Sequence, residues 1–143
     1  MTAVDAASGP AQAPAQASLS VLRRSGCTIA RLRGDLDIAT TAAVREGLAG
    51  LLGPGVRLLI IDLSGVSFCG AAGLAVLIGT QRHAAARRIT VRVAAPSPHT
   101  ARLLRITGLD RSLTVCATLA DALPPRPGPR HPRSPPRLSR SAR

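Results

Sequence analysis

Four consecutive large aliphatic residues, Leu58-Leu59-Ile60-Ile61, stand between Arg57 and Asp62. A strand with one wet face alternates apolar and polar residues. An unbroken run of this length therefore predicts a strand covered on both faces, the usual state in a parallel sheet. Parallel strands need crossover connections, normally helices, and the flanking sequence supplies them. Before the run, Thr40 or Thr41 is placed to cap a helix with Val44, Leu48 and Leu51 at i, i+4 and i+7, ended by Gly53-Pro54-Gly55. After it, Ser64-Gly65 reads as a turn, and Val66-Ser67-Phe68 leads into a second helix from about residue 71 to 87. Leu74, Leu77, Ile78 and Ala85 form its stripe, and Arg82, Arg87 and Arg88 lie at its favourable end.

The remaining elements follow the same logic. Residues 19–24 and 27–33 read as two strands around the turn Ser25-Gly26. Cys27, Ile29 and Arg31 lie on one face of the second, and Thr28, Ala30 and Leu32 on the other. Gly34-Asp35-Leu36-Asp37 reads as a sharp acidic turn. Residues 90–94 alternate as a strand with Val91 and Val93 inward. Pro98 opens a third helix with Leu103, Leu104 and Ile106 as its apolar side and Gly108 as its C-terminal stop. Residues 113–115 read as a last short strand and 118–123 as a final helical turn. The order β-β-α-β-α-β-α-β-α predicts an α/β fold with a small, mostly parallel sheet and right-handed crossovers.

With 143 residues there is room for one domain. Its expected extent is 18–123, between low-complexity flanks at 1–17 and 124–143 that lack the apolar residues to offset ordering entropy. Both flanks are expected to be disordered. Lys+Arg number 19 against 7 Asp+Glu, and every cation is Arg. The tail from 124 holds six of these Arg and seven Pro with no acid, so half of the excess says little about the domain. Nucleic acid is not expected as a partner, that tail being its only route. Phe68 is the sole aromatic, which argues against base-stacking modules and aromatic-lined cofactor pockets. Cys27, Cys69 and Cys116 are odd in number and widely spaced, with no CxxC or Cys/His pairing. They imply neither a disulfide framework nor a zinc site. Residues 1–17 carry no signal-peptide pattern. The uncharged stretch 63–81 contains Ser64, Ser67, four Gly and Thr80, and suits a buried strand–turn–helix better than a membrane span. A cytoplasmic location is expected, without membrane insertion.

The strand-to-helix segment 65–72 imitates two catalytic motifs and completes neither. A nucleophile elbow requires a small residue where Cys69 stands, and no acid-then-His order follows within the domain. Gly65 and Gly70 have the spacing of a phosphate loop, but Ala71-Ala72 replace the Lys-Ser/Thr that grips phosphate and magnesium. His83 and His99 stand alone, and Asp35 and Asp37 suit turn hydrogen bonding better than acid–base work. Cys69 has no neighbouring base and reads as an inert buried thiol. No catalytic residue, cofactor or metal ligand is assigned. A turn feeding a helix start with almost no reactive side chain suits a binding surface or a switch.

These residues resemble the STAS domain family, in particular the anti-sigma factor antagonists of bacterial partner-switching systems. The pieces that carry the resemblance are Gly34-Asp35-Leu36-Asp37-Ile38-Ala39-Thr40, Ile61-Asp62-Leu63-Ser64-Gly65-Val66-Ser67-Phe68, Gly73-Leu74 and Gly108-Leu109. Their order and spacing cover about 18–123. The resemblance implies a small sheet with helices packed on one side. It also implies a protein-binding role in transcription regulation, without enzymatic activity. A serine-kinase-type anti-sigma factor would be bound, and a sigma factor thereby released. The implied partner-binding residues are Asp35, Asp37, Thr40, Phe68, Cys69, Gly70, Ala71, Ala72, Gly73 and Leu74. The family switch is a serine at the start of the second helix, and its phosphate adds about two negative charges at the contact surface. Ala71 occupies that position here and Gly70 replaces the acid before it, so the phosphosite is degenerate. Ser64 and Ser67 lie nearby, before the helix start. The alternative implied role is a non-catalytic STAS subunit of a transporter-associated or stress-sensing complex.

Overall fold

The structure, a computed structural model, describes residues 17–125. Apart from Ala17, Pro124 and Pro125, the two flanks lie outside the described residues. Strand β1 (Ala17–Arg24) turns at Ser25-Gly26, where Gly26 takes φ +85, and pairs antiparallel with β2 (Cys27–Leu36). Strands β3 (Leu58–Cys69), β4 (Thr90–Ala94) and β5 (Thr114–Cys116) then add in parallel, in the sheet order β1-β2-β3-β4-β5. Helices α1 (Ile38–Ala49), α2 (Ala71–Ala85) and α3 (Pro98–Ile106) make the crossovers. A short 3-10 turn (Leu109–Arg111) precedes β5, and α4 (Leu119–Ala122) ends the fold. The order is the one expected from the sequence.

The apolar run is covered on both sides because its residues feed two cores. Leu59 and Ile61 join Ala30, Leu32, Val91 and Val93 on the face that packs against Val44 and Leu48 of α1, Leu74 and Leu77 of α2 and Leu104 of α3. Leu58 and Ile60 join Cys27, Ile29 and Ala94 on the opposite face, where Ala122 is buried with Leu119 and Leu123 beside it. The three longer helices thus share one side of the sheet, and α4 covers part of the other. Beyond that second cluster Asp62 is 2% exposed and accepts from Arg31 Nε at 3.0 Å and from the Ser64 amide at 3.0 Å.

Several local expectations need correction. Ser64-Gly65 is not a turn: β3 runs through it to Cys69. Asp35 belongs to β2, and the N-cap of α1 is Asp37 rather than Thr40 or Thr41. Helix α2 ends at Ala85, which is exposed, and Arg87 lies beyond it, donating from Nη1 to the Leu52 carbonyl at 2.7 Å. Of the three residues expected on the apolar side of α3 only Leu104 is buried, and Ile106 is 71% exposed at the helix end. Ser97 caps α3 with Pro98 in its first turn, and Gly108 follows it at φ +78, a conformation favoured by glycine. No helix among the described residues is long and apolar enough to cross a membrane.

Candidate partner-binding site

The site begins with two irregularities in β3. Arg31 and Arg33 of β2 face Asp62 and Gly65, and Gly34 and Asp35 face Val66 and Phe68. At each step β3 carries one residue more than β2. These bulges change the spacing of its inward residues. Ile61 and Leu63 are two apart, whereas Leu63, Val66 and Cys69 are three apart, all in the main core. The bulge around Ser67 leaves Ser67 and Phe68 both exposed, with Cys69 turned inward. Without the extra residue, strict alternation would not give two outward residues in succession.

The partner segment is held by the start of α1. Asp37 Oδ1 accepts from the amides of Ala39 at 2.9 Å and Thr40 at 3.2 Å. In return Thr40 Oγ1 accepts from the Asp37 amide at 3.1 Å and donates to the Asp35 carbonyl at 2.6 Å. This reciprocal capping satisfies donors that a helix start leaves open. It also holds Ile38 outward at 86% exposure.

The two segments meet because β2 and β3 are neighbours. Leu36 pairs with Cys69, and the Gly70 amide donates to the Leu36 carbonyl at 3.2 Å. Gly73 lets α2 approach closely. A Cβ there would lie 2.7 Å from Cys69 Sγ and 2.8 Å from Leu36 Cβ. Gly70 caps α2 without a side-chain hydrogen bond. Ala71 behind it is exposed and Ala72 half-buried. Asp37, Ile38, Ala39, Phe68, Gly70, Ala71 and Ala72 line one shallow groove of about 490 Å³.

Of the residues singled out in the sequence, Asp37, Phe68, Gly70, Ala71 and Ala72 therefore face one groove. Asp35 and Thr40 brace its rim through hydrogen bonds. Cys69, Gly73 and Leu74 are buried beneath it. Burial raises the Cys69 thiol from 9.0 to about 11, so at neutral pH it is a packed thiol and not a nucleophile. Ser64 and Ser67 are both exposed and line no part of the groove. Ile38 was not singled out, although the sequence held a signal for it. Residues 38, 42 and 45 share a helical side, and Ala42 and Arg45 mark that side as wet. Among the described residues, no group of three or more His, Cys, Asp or Glu is placed to hold a metal ion.

Comparison with known proteins agrees with this fold. The STAS domain family matches residues 18–122, and the chain belongs to it. The anti-sigma-F factor antagonist RsfB of Mycobacterium tuberculosis is 31% identical over 111 residues, covering 78% of this chain and 90% of that protein. A crystal structure of an anti-sigma factor antagonist from Mycobacterium paratuberculosis superposes with a TM-score of 0.65 at 28% identity, over 74% of this chain and 90% of that one. The anti-sigma factor antagonist SpoIIAA in its unphosphorylated form, a Bacillus protein, shares the fold. Its TM-score is 0.62 at 20% identity, over 73% of this chain and 92% of its own.

Proposed function

We propose that this chain is an anti-sigma factor antagonist that docks a serine-kinase-type anti-sigma factor on the groove between the starts of α1 and α2, releasing a sigma factor. The observation that carries the proposal is the pair Ile38 and Phe68, 86% and 47% exposed, flanking small residues that let another backbone come close. Exposed large apolar residues around a groove are what a docking partner buries. The names of the mycobacterial relatives point the same way. We place the protein in the cytoplasm, where sigma factors act.

Ala71 stands at the position of the family's phosphoserine and has no hydroxyl. The usual off-signal, a phosphate at the start of α2, has no acceptor there. Binding is then constitutive with respect to that position, and control rests with the abundance of the partners. Incubation with the cognate kinase and mass spectrometry should find no phosphate on 70–73. Stoichiometric phosphate on Ser64 or Ser67 would show that the switch has moved.

The interface itself is tested by Ala71→Glu. A carboxylate near a helix N-terminus is locally tolerated, so the fold should persist by circular dichroism. Volume and charge in the groove should weaken the anti-sigma factor by about tenfold or more, equivalent to about 1.4 kcal/mol, by calorimetry. Ala71→Ser should bind as the parent does. If Ala71→Glu binds as tightly as the parent, the start of α2 is not the interface.

A further inference from the structure

The end of the sheet remote from the groove has a different character. The first residues of β2 and β3 are neighbours, as Thr28 pairs with Leu59, and the groove lies at their far ends. The ten residues of β2 put the two ends roughly 30 Å apart. At the near end a cleft of about 230 Å³ opens between the β1–β2 turn and the loop before β3. Arg23 and Arg24 line one wall, Arg57 another, and no carboxylate lines any part of it. Gly26 and Gly55 are both at positive φ, with open space where a Cβ would stand, so their backbones are accessible from the cleft.

Arginines usually find carboxylate partners where these are near. Among the described residues the one ion pair is Arg31–Asp62, and none of these three takes part in it. Glu46, in the last turn of α1, pairs with none of them either. The loop wall is tethered from behind, since Arg87 donates to the Leu52 carbonyl at 2.7 Å. Three arginines lining an acid-free cleft that also exposes glycine backbone match the chemistry of phosphate oxygens, which planar guanidinium forks bind in pairs. The cleft is smaller than the usual ligand pocket of about 300–1,000 Å³, which favours a compact anion over an extended polymer.

We propose that this cleft is a second binding site, taking a free oligophosphate through Arg23, Arg24 and Arg57. It is independent of the groove and of any partner bound there. The test is a titration of the full chain with inorganic tripolyphosphate, followed through backbone amide resonances. The residue-resolved readout separates the cleft from the Arg-rich residues 126–143. The Gly26 and Gly55 amides should shift saturably, while Gly108 stays still. Arg23→Ala/Arg57→Ala should weaken that saturation by about tenfold or more, and Arg57→Lys should have a smaller effect because it keeps the charge and loses the fork. Both positions are exposed, so the variants should keep the parent spectrum elsewhere. Unmoved glycine amides, or shifts that persist in the double variant, would overturn the site. A parallel titration with vesicles of phosphatidylglycerol distinguishes the source of phosphate. If vesicles perturb these amides and tripolyphosphate does not, the surface reads a lipid headgroup and the free-oligophosphate proposal fails.

Discussion

Gly73 and Gly79 lie on the same helix and answer to opposite constraints. At Gly73 a methyl group would meet Cys69 Sγ, Leu36 Cβ and the Leu36 carbonyl at 2.7, 2.8 and 3.1 Å, whereas at Gly79 nothing lies within 4 Å. Gly73→Ala should therefore cost about 1–3 kcal/mol by overpacking. Gly79→Ala should gain about 0.5–1 kcal/mol, because a helix-interior glycine loses more entropy on folding than alanine does. Urea unfolding of both variants checks the opposite signs. Cys69, against which Gly73 packs, has a pH signature. Its thiol ionises near 9.0 when exposed and near 11 when buried. Above pH 9 the unfolded chain releases a proton that the folded chain retains, so unfolding is favoured. The contribution of Cys69 is complete below pH 9 and is lost as the pH rises through 11. Stability measured from pH 8 to 11 should fall more steeply in the parent than in Cys69→Ala, and equal slopes would contradict the assignment.

At the scale of elements, strand β3 carries most of what the sequence concealed. Strand number, order and the two-sided burial of 58–61 were legible because composition dictates them: an unbroken aliphatic run has to be covered twice. The bulges were not legible. Ser64-Gly65 has the residue types of a turn, and a bulge uses the same small and polar residues, so local chemistry does not separate them. What keeps the strand going is long-range pairing with β2. The start of α1 lies three or four residues before the expected cap for a related reason. Asp37 and Thr40 each suit a cap, and here they cap each other. The meeting of 35–40 with 68–74 follows from the adjacency of β2 and β3. The outward turn of Phe68 depends on the bulge, and the exposure of Ile38 on the mutual cap. The same strand holds Asp62, whose buried carboxylate has two donors, Arg31 Nε and the Ser64 amide. Arg31→Ala leaves it with one. The expected loss is about 1.5–3 kcal/mol, the range for a hydrogen bond to a charged group. Arg33→Ala, on an exposed side chain without an ion pair, should be near neutral. Thermal unfolding of the two variants separates a specific pair from a general effect of removing cations.

For the molecule as a whole, the consequential element is the smallest helix. Helix α4 has four residues, too few to be stable alone. Docking holds it: Ala122 is fully buried, Leu119 and Leu123 pack beside it, and Arg92 Nη1 donates to the Ala122 carbonyl at 2.7 Å. Thr118 Oγ1 caps its start by accepting from the Asp121 amide at 3.1 Å. Beneath it lie Cys27, Ile29, Leu58, Ile60 and Ala94, contributed by three strands. Without α4 the apolar run of β3 would be half uncovered, which the sequence pattern forbids for a stable sheet in water. A chain ending at Ala117 should therefore lose about 2–4 kcal/mol, the scale of exposing one or two large aliphatic side chains, and should bind a dye specific for exposed apolar surface. A chain ending at Pro125 retains α4 and separates its loss from that of the Arg-rich residues beyond. It should unfold at the same temperature as the full chain and bind no dye. Equal stability and equal dye binding in the two truncated chains would mean that the second face needs no cover, and that the unbroken run at 58–61 answers to something other than burial on both sides.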